Sequence, residues 1–412
     1  MYKVAGHFAS YCPNRTEPID QMDTSNSSTP LDLTVDDPLH WVRFLSITIF
    51  NNKFYRWARI FTLIFQIVNL ITDIYFFVMV FEAAYLYRYL AVFLSQISAV
   101  LFGIGLLWSE KLFKCLDKEF WSMLWSIDTA TIKTKRKIQT DFKYITATVV
   151  VNTLLGVGAG FMLIPTRTEQ MYQLALVLFR NYFPTYHYIL DFFYFLLFPI
   201  TSYMIINVAN MIAYYVYLGK SQIHLGLDVI SHMSVDYNDY DEDTLLHSAE
   251  YQRVIKRRMA FIVIRHNELL RISRIATNLA SQLLPWFVIG GIVMFLSALS
   301  NWYLVEVNIG YWLYVKNFCW LSTSTLTGAL LVHCGQEIED LTGAMFSVVN
   351  DVPWTSFNTS NKRTMLTILT VAQIPVKLQF TETVSLNYQL GIRMLRNVYS
   401  FAALFASVKS TN

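Results

Sequence analysis

Long apolar blocks alternate with shorter charged ones along this chain. Seven blocks carry few charges: Ile60 to Phe81, Ala83 to Trp108, Tyr144 to Leu163, Tyr188 to Tyr217, Leu279 to Leu299, Ile309 to Cys334 and Leu386 to Val408. Each has the roughly 20 residues an α-helix needs to cross about 30 Å of hydrocarbon. The pattern predicts an all-α membrane protein with seven transmembrane helices. The last block is the least apolar, with Asn387, Gln389, Arg393, Arg396, Asn397 and Ser400.

Two further segments repeat apolar residues at helical spacing between charges. From Asp243 to Leu279 the apolar positions are Val254, Ile255, Met259, Ile262, Leu269, Ile272 and Ile275, which predicts one long amphipathic helix running into the fifth span. From Lys362 to about Ile374, Met365, Ile368, Leu369 and Ala372 share a face, and Pro375 ends or kinks that helix. These stripes need burial against other subunits or within the chain, and the pattern leaves both open.

Charge orients the spans. Lys111, Lys114, Lys118, Lys133, Lys135, Arg136, Lys137 and Lys143 lie between the second and third blocks, and Arg253, Lys256, Arg257, Arg258, Arg265, Arg271 and Arg274 between the fourth and fifth; only Arg167 and Arg180 lie between the third and fourth. The positive-inside rule makes the basic connections cytoplasmic, with the N-terminus cytoplasmic and the C-terminus extracellular. The chain then divides into a cytoplasmic N-terminal segment (1–57), helices one to four with their loops (58–242), a cytoplasmic helix with helices five and six (243–335), a cytoplasmic helical segment (336–383), and the last helix with a short extracellular tail (384–412). The sequons at Asn14, Asn26 and Asn358 are then on the side where glycosylation does not act.

Composition agrees with this class. Hydrophobic residues are 54% of the chain and charged ones 15%, with 30 Phe, 25 Tyr and 10 Trp, outside the range of an ordinary soluble domain. No cleavable signal peptide is expected in the Asp-, Ser-, Thr- and Pro-bearing first fifty or so residues. Cys12, Cys115, Cys319 and Cys334 have no CxxC spacing, so neither a disulfide framework nor a metal site is expected. The acidic run VDYNDYDED lacks the glycine a calcium loop needs and reads as a solvated loop. With no HExxH, no phosphate-binding glycine loop and eight scattered histidines, no enzyme and no cofactor are expected. No internal repeat of interrupted helices points to a transporter.

The C-terminal third carries CGQEIEDL from Cys334, Pro353-Trp354, Lys362-Arg363, AQIP ending in Pro375, Ser385-Leu386 and MLRNVYS ending in Ser400. In their order and spacing over about eighty residues these resemble the insect odorant receptor family. The resemblance implies one subunit of a ligand-gated cation channel, a tetramer in the plasma membrane of olfactory neuron dendrites. In that family a cytoplasmic anchor joins the subunits and the last helix lines the pore. The chain lacks the co-receptor's long second-loop insertion and its ending, and so resembles an odorant-selective subunit that partners co-receptor subunits in the lipid bilayer. No nucleic-acid partner is expected.

By resemblance the pore candidates are Arg393, Arg396, Tyr399, Ala402, Ala403 and Ala406. Arg393 and Arg396 share a helix face; they line the pore, or sit in the inner half and snorkel or pair with anchor carboxylates. A ring of four such arginines opposes cation flow, which fits a minority subunit in a heteromer. The resemblance also places an odorant cavity in the outer half of the bundle, with candidates Tyr85, Tyr89 and Phe93; Gly156, Gly160 and Phe161; Asp191, Tyr194 and Phe198; and Tyr311, Trp312 and Tyr314. Interior packing or an interfacial aromatic belt is the competing reading of each. Glycines at 156, 158 and 160 permit close helix packing or open space, and such walls suit a small apolar volatile such as a neutral ester, alcohol, aldehyde or terpenoid. Asp73, with Gln66 and Asn69 on earlier turns, either bonds across to a neighbouring helix or tunes gating. A seven-helix G-protein-coupled chemoreceptor is the alternative; it needs the opposite orientation, and its Arg-bearing motif and NPxxY are absent.

Overall fold

The structure, a computed structural model, describes residues 37–79, 83–167, 169–237, 239–304, 311–381 and 384–411. The sequons at Asn14 and Asn26 lie outside them. A short helical lead-in over residues 40–51 precedes ten helices: α1 (Lys53–Met79), α2 (Ala83–Trp121), α3 (Ile132–Met162), α4 (Leu174–Tyr182), α5 (His187–Ser231), α6 (Glu242–His247), α7 (Ala249–Leu304), α8 (Tyr311–Asn350), α9 (Thr359–Ala372) and α10 (Tyr388–Thr411). Among the described residues α1, α2, α3, α5 and α7 are long and apolar enough to cross a membrane. The expected sixth and seventh spans correspond to α8 and α10, which do not reach that threshold over their described residues.

Helix α5 is the axis of the bundle. Its middle, residues 202–225, is buried on nearly every side, and Val208, Ala209, Ala213 and Tyr214 are completely buried. α3 and α8 pack on it, while α2 and α7 form the most extensive helix pair beside it. Four polar side chains inside this core pair across helices. Asn210 Nδ2 donates to Thr153 Oγ1 at 2.8 Å, Asn152 Nδ2 to Asn210 Oδ1 at 3.2 Å, and Thr327 Oγ1 to Asn152 Oδ1 at 3.0 Å, tying α3, α5 and α8 together. The lead-in joins the same core through Leu39, Val42, Ile47 and Phe50, and Tyr214 donates to Asp37 at 2.9 Å. Residues 37–51 are thus a packed part of the bundle.

The amphipathic helix expected from Asp243 begins only at Ala249, because extended backbone at Ser248 splits off α6. The helix runs 56 residues without a break, and Ile255, Met259 and Ile262 pack with Met345, Val349, Met365, Ile368 and Ala372 in a second core. Those faces are therefore buried within the chain, whereas Leu366, Val371 and Ile374 on and after α9 stay exposed. α9 begins where the Asn358 side chain accepts from the Asn361 N–H at 2.9 Å and ends two residues before Ile374, with Pro375 following. The acidic run around Asp239 forms turns and a short helical start, with Asp236 paired to Arg258. Cys319 and Cys334 are free, but Cys115 is disulfide-bonded, against the expectation from spacing.

Candidate functional site

Helix α3 crosses α5 at Gly156 and Gly160. A Cβ on Gly160 would lie 2.8 Å from Pro199 Cα, and one on Gly156 only 1.5 Å from Ile206 Cδ1. Ser202 Oγ donates to the Gly156 carbonyl at 2.6 Å across the contact. Gly156 and Gly160 thus serve close helix packing, whereas an added Cβ on Gly158 would meet nothing within 4 Å. Pro199 lies within α5 at this crossing, and the turns before it project Tyr194 and Phe198 away from α3 into a cavity of about 180 Å³.

The cavity lies between α1, α2, α5, α7 and α8, with the α3–α4 connection against it. Its apolar wall includes Ala91, Val92, Leu197, Phe198, Met294, Ala298, Leu313 and Trp320. Its polar wall is larger than the sequence led us to expect: Gln66, Gln96, Glu169, Gln173, Lys316 and Asn317 all reach it. Lys316 Nζ lies 2.6 Å from Glu169 Oε2 and donates to the Ile164 carbonyl at 3.0 Å, and both side chains are buried. The Thr166 N–H donates to the same Glu169 oxygen at 2.8 Å, so this pair staples the α3–α4 connection onto α8. Tyr194 donates to Gln173 at 2.7 Å and Gln66 to Thr201 at 3.2 Å.

Tyr194 and Phe198 line the cavity. Tyr89 is buried but off its wall, and Phe93 packs edge-on against Phe77 at 5.3 Å. Phe161, Tyr311, Trp312 and Tyr314 are exposed, at 58%, 78%, 62% and 43%. On α8 the wall is instead Leu313, Lys316, Asn317 and Trp320, spaced three, four and seven residues apart as one helical face. The exposed aromatics take the other faces, where a membrane interface suits them. The side chain of Tyr85 lies outside the described residues. Asp191 is buried beside Arg180, 3.3 Å away, and ties α4 to α5 without reaching the cavity. Asp73 is 2% exposed and meets Gln96 of α2, in keeping with a bond across helices. Lys316 and Asn317 were missed; a lone lysine inside an apolar block was the signal, because such a charge must find a partner.

No protein-family model matches the sequence, and no curated protein does. Solved structures do match. The olfactory receptor OR5 of Machilis hrabei in complex with eugenol superposes with a TM-score of 0.65 over 90% of this chain and 97% of that one, at 11% identity. The same receptor in a second structure gives 0.64 over the same shares at 12% identity. The chain has the insect olfactory receptor fold. A G-protein-coupled architecture is not favoured. At this identity the helix order and packing persist while the side chains do not.

Within this olfactory receptor fold the CGQEIEDL stretch is a docking platform for the last helix. A Cβ on Gly335 would lie 1.8 Å from the Leu386 carbonyl oxygen, so only glycine lets the entry to α10 approach α8 this closely. Gln336 Oε1 accepts from the Tyr388 N–H at 3.2 Å, Glu337 pairs with Lys220 at 2.6 Å, and Glu339 pairs with Lys377 at 3.0 Å. A two-stranded hairpin, β1 (Gln379–Thr381) and β2 (Val384–Ser385), delivers the chain to this platform, an element the sequence pattern did not reveal. α10 then rests on α7 and α8 and leaves Arg393, Arg396, Tyr399 and Ala403 exposed. The side chains of Ala402 and Ala406 lie outside the described residues.

Proposed function

We propose that this chain is an insect odorant receptor: the odorant-selective subunit of a heterotetrameric, ligand-gated, non-selective cation channel, assembled with co-receptor subunits in the dendritic plasma membrane of olfactory neurons. The observation that carries the reading is a fold match over 90% of the chain to a receptor solved with eugenol, a small volatile, joined to a cavity walled by five helices. About 180 Å³ suits a molecule of roughly six to ten non-hydrogen atoms, since a cavity of about 150 Å³ holds benzene. In this reading seven helices cross the membrane, with α8 and α10 as the sixth and seventh and the N-terminus inside. The cavity then lies in the outer half and α10 borders the pore. A ligand that binds better when α10 has moved from the axis shifts the population toward the open state. The exposure of most of the described side chains of α10 in a single chain supports a role for neighbouring subunits, as do the exposed residues of α9.

The test is odorant-evoked current in cells expressing this chain with a co-receptor subunit, against Ala298→Trp, which fills the cavity. The expected result is loss of the odorant response in the variant at unchanged surface expression, with currents to a direct co-receptor agonist retained. An undiminished odorant response would place the ligand elsewhere, and absence of any odorant-evoked current with the wild-type chain would overturn the channel assignment.

A further inference from the structure

A second cavity, of about 120 Å³, lies farther along α5. The first is lined by α5 residues 194–205 and the second by residues 215–230, so at about 1.5 Å per residue they sit roughly 35 Å apart along that helix. The wall of the second is apolar, with Phe120 of α2, Ile223 of α5, Phe261 and Leu269 of α7, Met345 of α8 and Leu378 just before β1. The polar side chains that border it bond within the chain. Gln222 accepts from the Trp125 N–H at 3.0 Å, Tyr215 donates to Asp117 at 3.4 Å, Arg265 donates to Glu268 at 2.9 Å, and Thr342 Oγ1 accepts from the Val376 N–H at 3.0 Å. His266 and Ser273 also border it. Gly219 and Gly226, seven residues apart and so on one side of α5, complete the wall. A Cβ on Gly226 would meet nothing within 4 Å, and one on Gly219 only Phe120 at 3.7 Å, an ordinary contact. Glycine weakens a helix, and no close crossing demands it here; what the pair supplies is room.

We propose that this cavity is a second small-molecule site, for an uncharged apolar compound of one ring, and that its occupant steadies the entry to α10. Size and chemistry point to that class. An apolar cavity of about 150 Å³ takes up benzene, and about 120 Å³ is on the scale of a single ring. An anion finds no free counter-ion, because Arg265 is held by Glu268 and lies over the rings of Trp125 at 5.0 Å and Phe261 at 5.6 Å. The link to α10 is through the wall itself. The Leu378 carbonyl accepts from the Leu386 N–H at 2.8 Å, and Leu386 is the residue seated on Gly335. A ligand packed on Val376 and Leu378 therefore adds contacts to the segment that positions α10. The site stands whether or not the first cavity takes odorants; only its effect on opening rests on the channel reading.

The experiment adds chlorobenzene to the purified full-length Ala298→Trp protein, whose first cavity is filled, and follows thermal unfolding against its concentration. The expected result is a midpoint that rises and saturates, with an apparent affinity weakened about tenfold or more when Gly226→Leu or Ala276→Phe is added to fill the second cavity. Comparing the variants cancels partitioning of the probe into detergent. Benzoate, the charged counterpart, should leave the midpoint unchanged. In the otherwise wild-type chain, saturating chlorobenzene should slow hydrogen exchange at the Val376 and Leu386 amides, and Gly226→Leu alone should abolish that slowing. No rise in the Ala298→Trp protein, a rise that survives both fillings, or tighter binding of benzoate than of chlorobenzene would overturn the site. Unchanged exchange at both amides would overturn its link to α10. Failure of the odorant reading shows differently, as odorant-evoked current undiminished by Ala298→Trp while chlorobenzene still binds the second cavity.

Discussion

Lys316 and Glu169 stand 147 residues apart in sequence and 2.6 Å apart in space. Their side chains are 9% and 11% exposed, so little solvent screens them. At an effective dielectric of about 20 the attraction at this separation is about 6 kcal/mol, and desolvation of the two ions offsets much of it. Removing one partner leaves a buried charge with no counter-ion, at a cost of about 3–5 kcal/mol. Lys316→Met and Glu169→Gln should each destabilise the protein by about that amount, while Lys316→Met combined with Glu169→Gln should cost far less than the sum. Equilibrium unfolding of the four proteins in mixed detergent gives the cycle, with apparent midpoints at one scan rate as a check on irreversibility. Single losses below about 1 kcal/mol that simply add would refute the burial, because that is the behaviour of a solvated surface pair.

Gly335→Ala should displace the entry to α10, because the added Cβ meets the backbone carbonyl of Leu386 at 1.8 Å; a cost of about 1–3 kcal/mol and lost ligand-evoked current at normal helical content are expected, and wild-type current would count against the docking role. Asn210→Leu strands Asn152 Nδ2 and removes the donor to Thr153, so thermal unfolding should show a loss of about 1–3 kcal/mol; an unchanged midpoint would mean the seam is not closed as described. Arg396→Glu should raise cation conductance if this exposed residue faces the pore, and single-channel recording that finds no change would assign it to the membrane or to an anchor carboxylate.

Local chemistry was legible where water is the alternative. Helix α9 stops before Pro375 as read, and Met365, Ile368 and Ala372 form its buried stripe. The same logic read α7 through its charged half. Inside the apolar blocks that contrast vanishes, because a face turned to lipid is as apolar as one turned to protein. Tyr311, Trp312 and Tyr314 therefore looked as suitable for a cavity as Leu313 and Trp320, and only helix packing separates them. Glycines 156 and 160 fitted both close contact and open space until the position of Pro199 and Ile206 decided for contact.

By itself, then, the sequence determined the class of molecule, the main apolar helices, the amphipathic segments and the motif string of the C-terminal third, since these follow from hydrophobic length, helical period and local capping. The tertiary structure alone decided which faces meet. It joined Lys316 to Glu169 and set Leu386 against Gly335. These are contacts between residues far apart in the chain, and no periodicity within one helix encodes the partner on another.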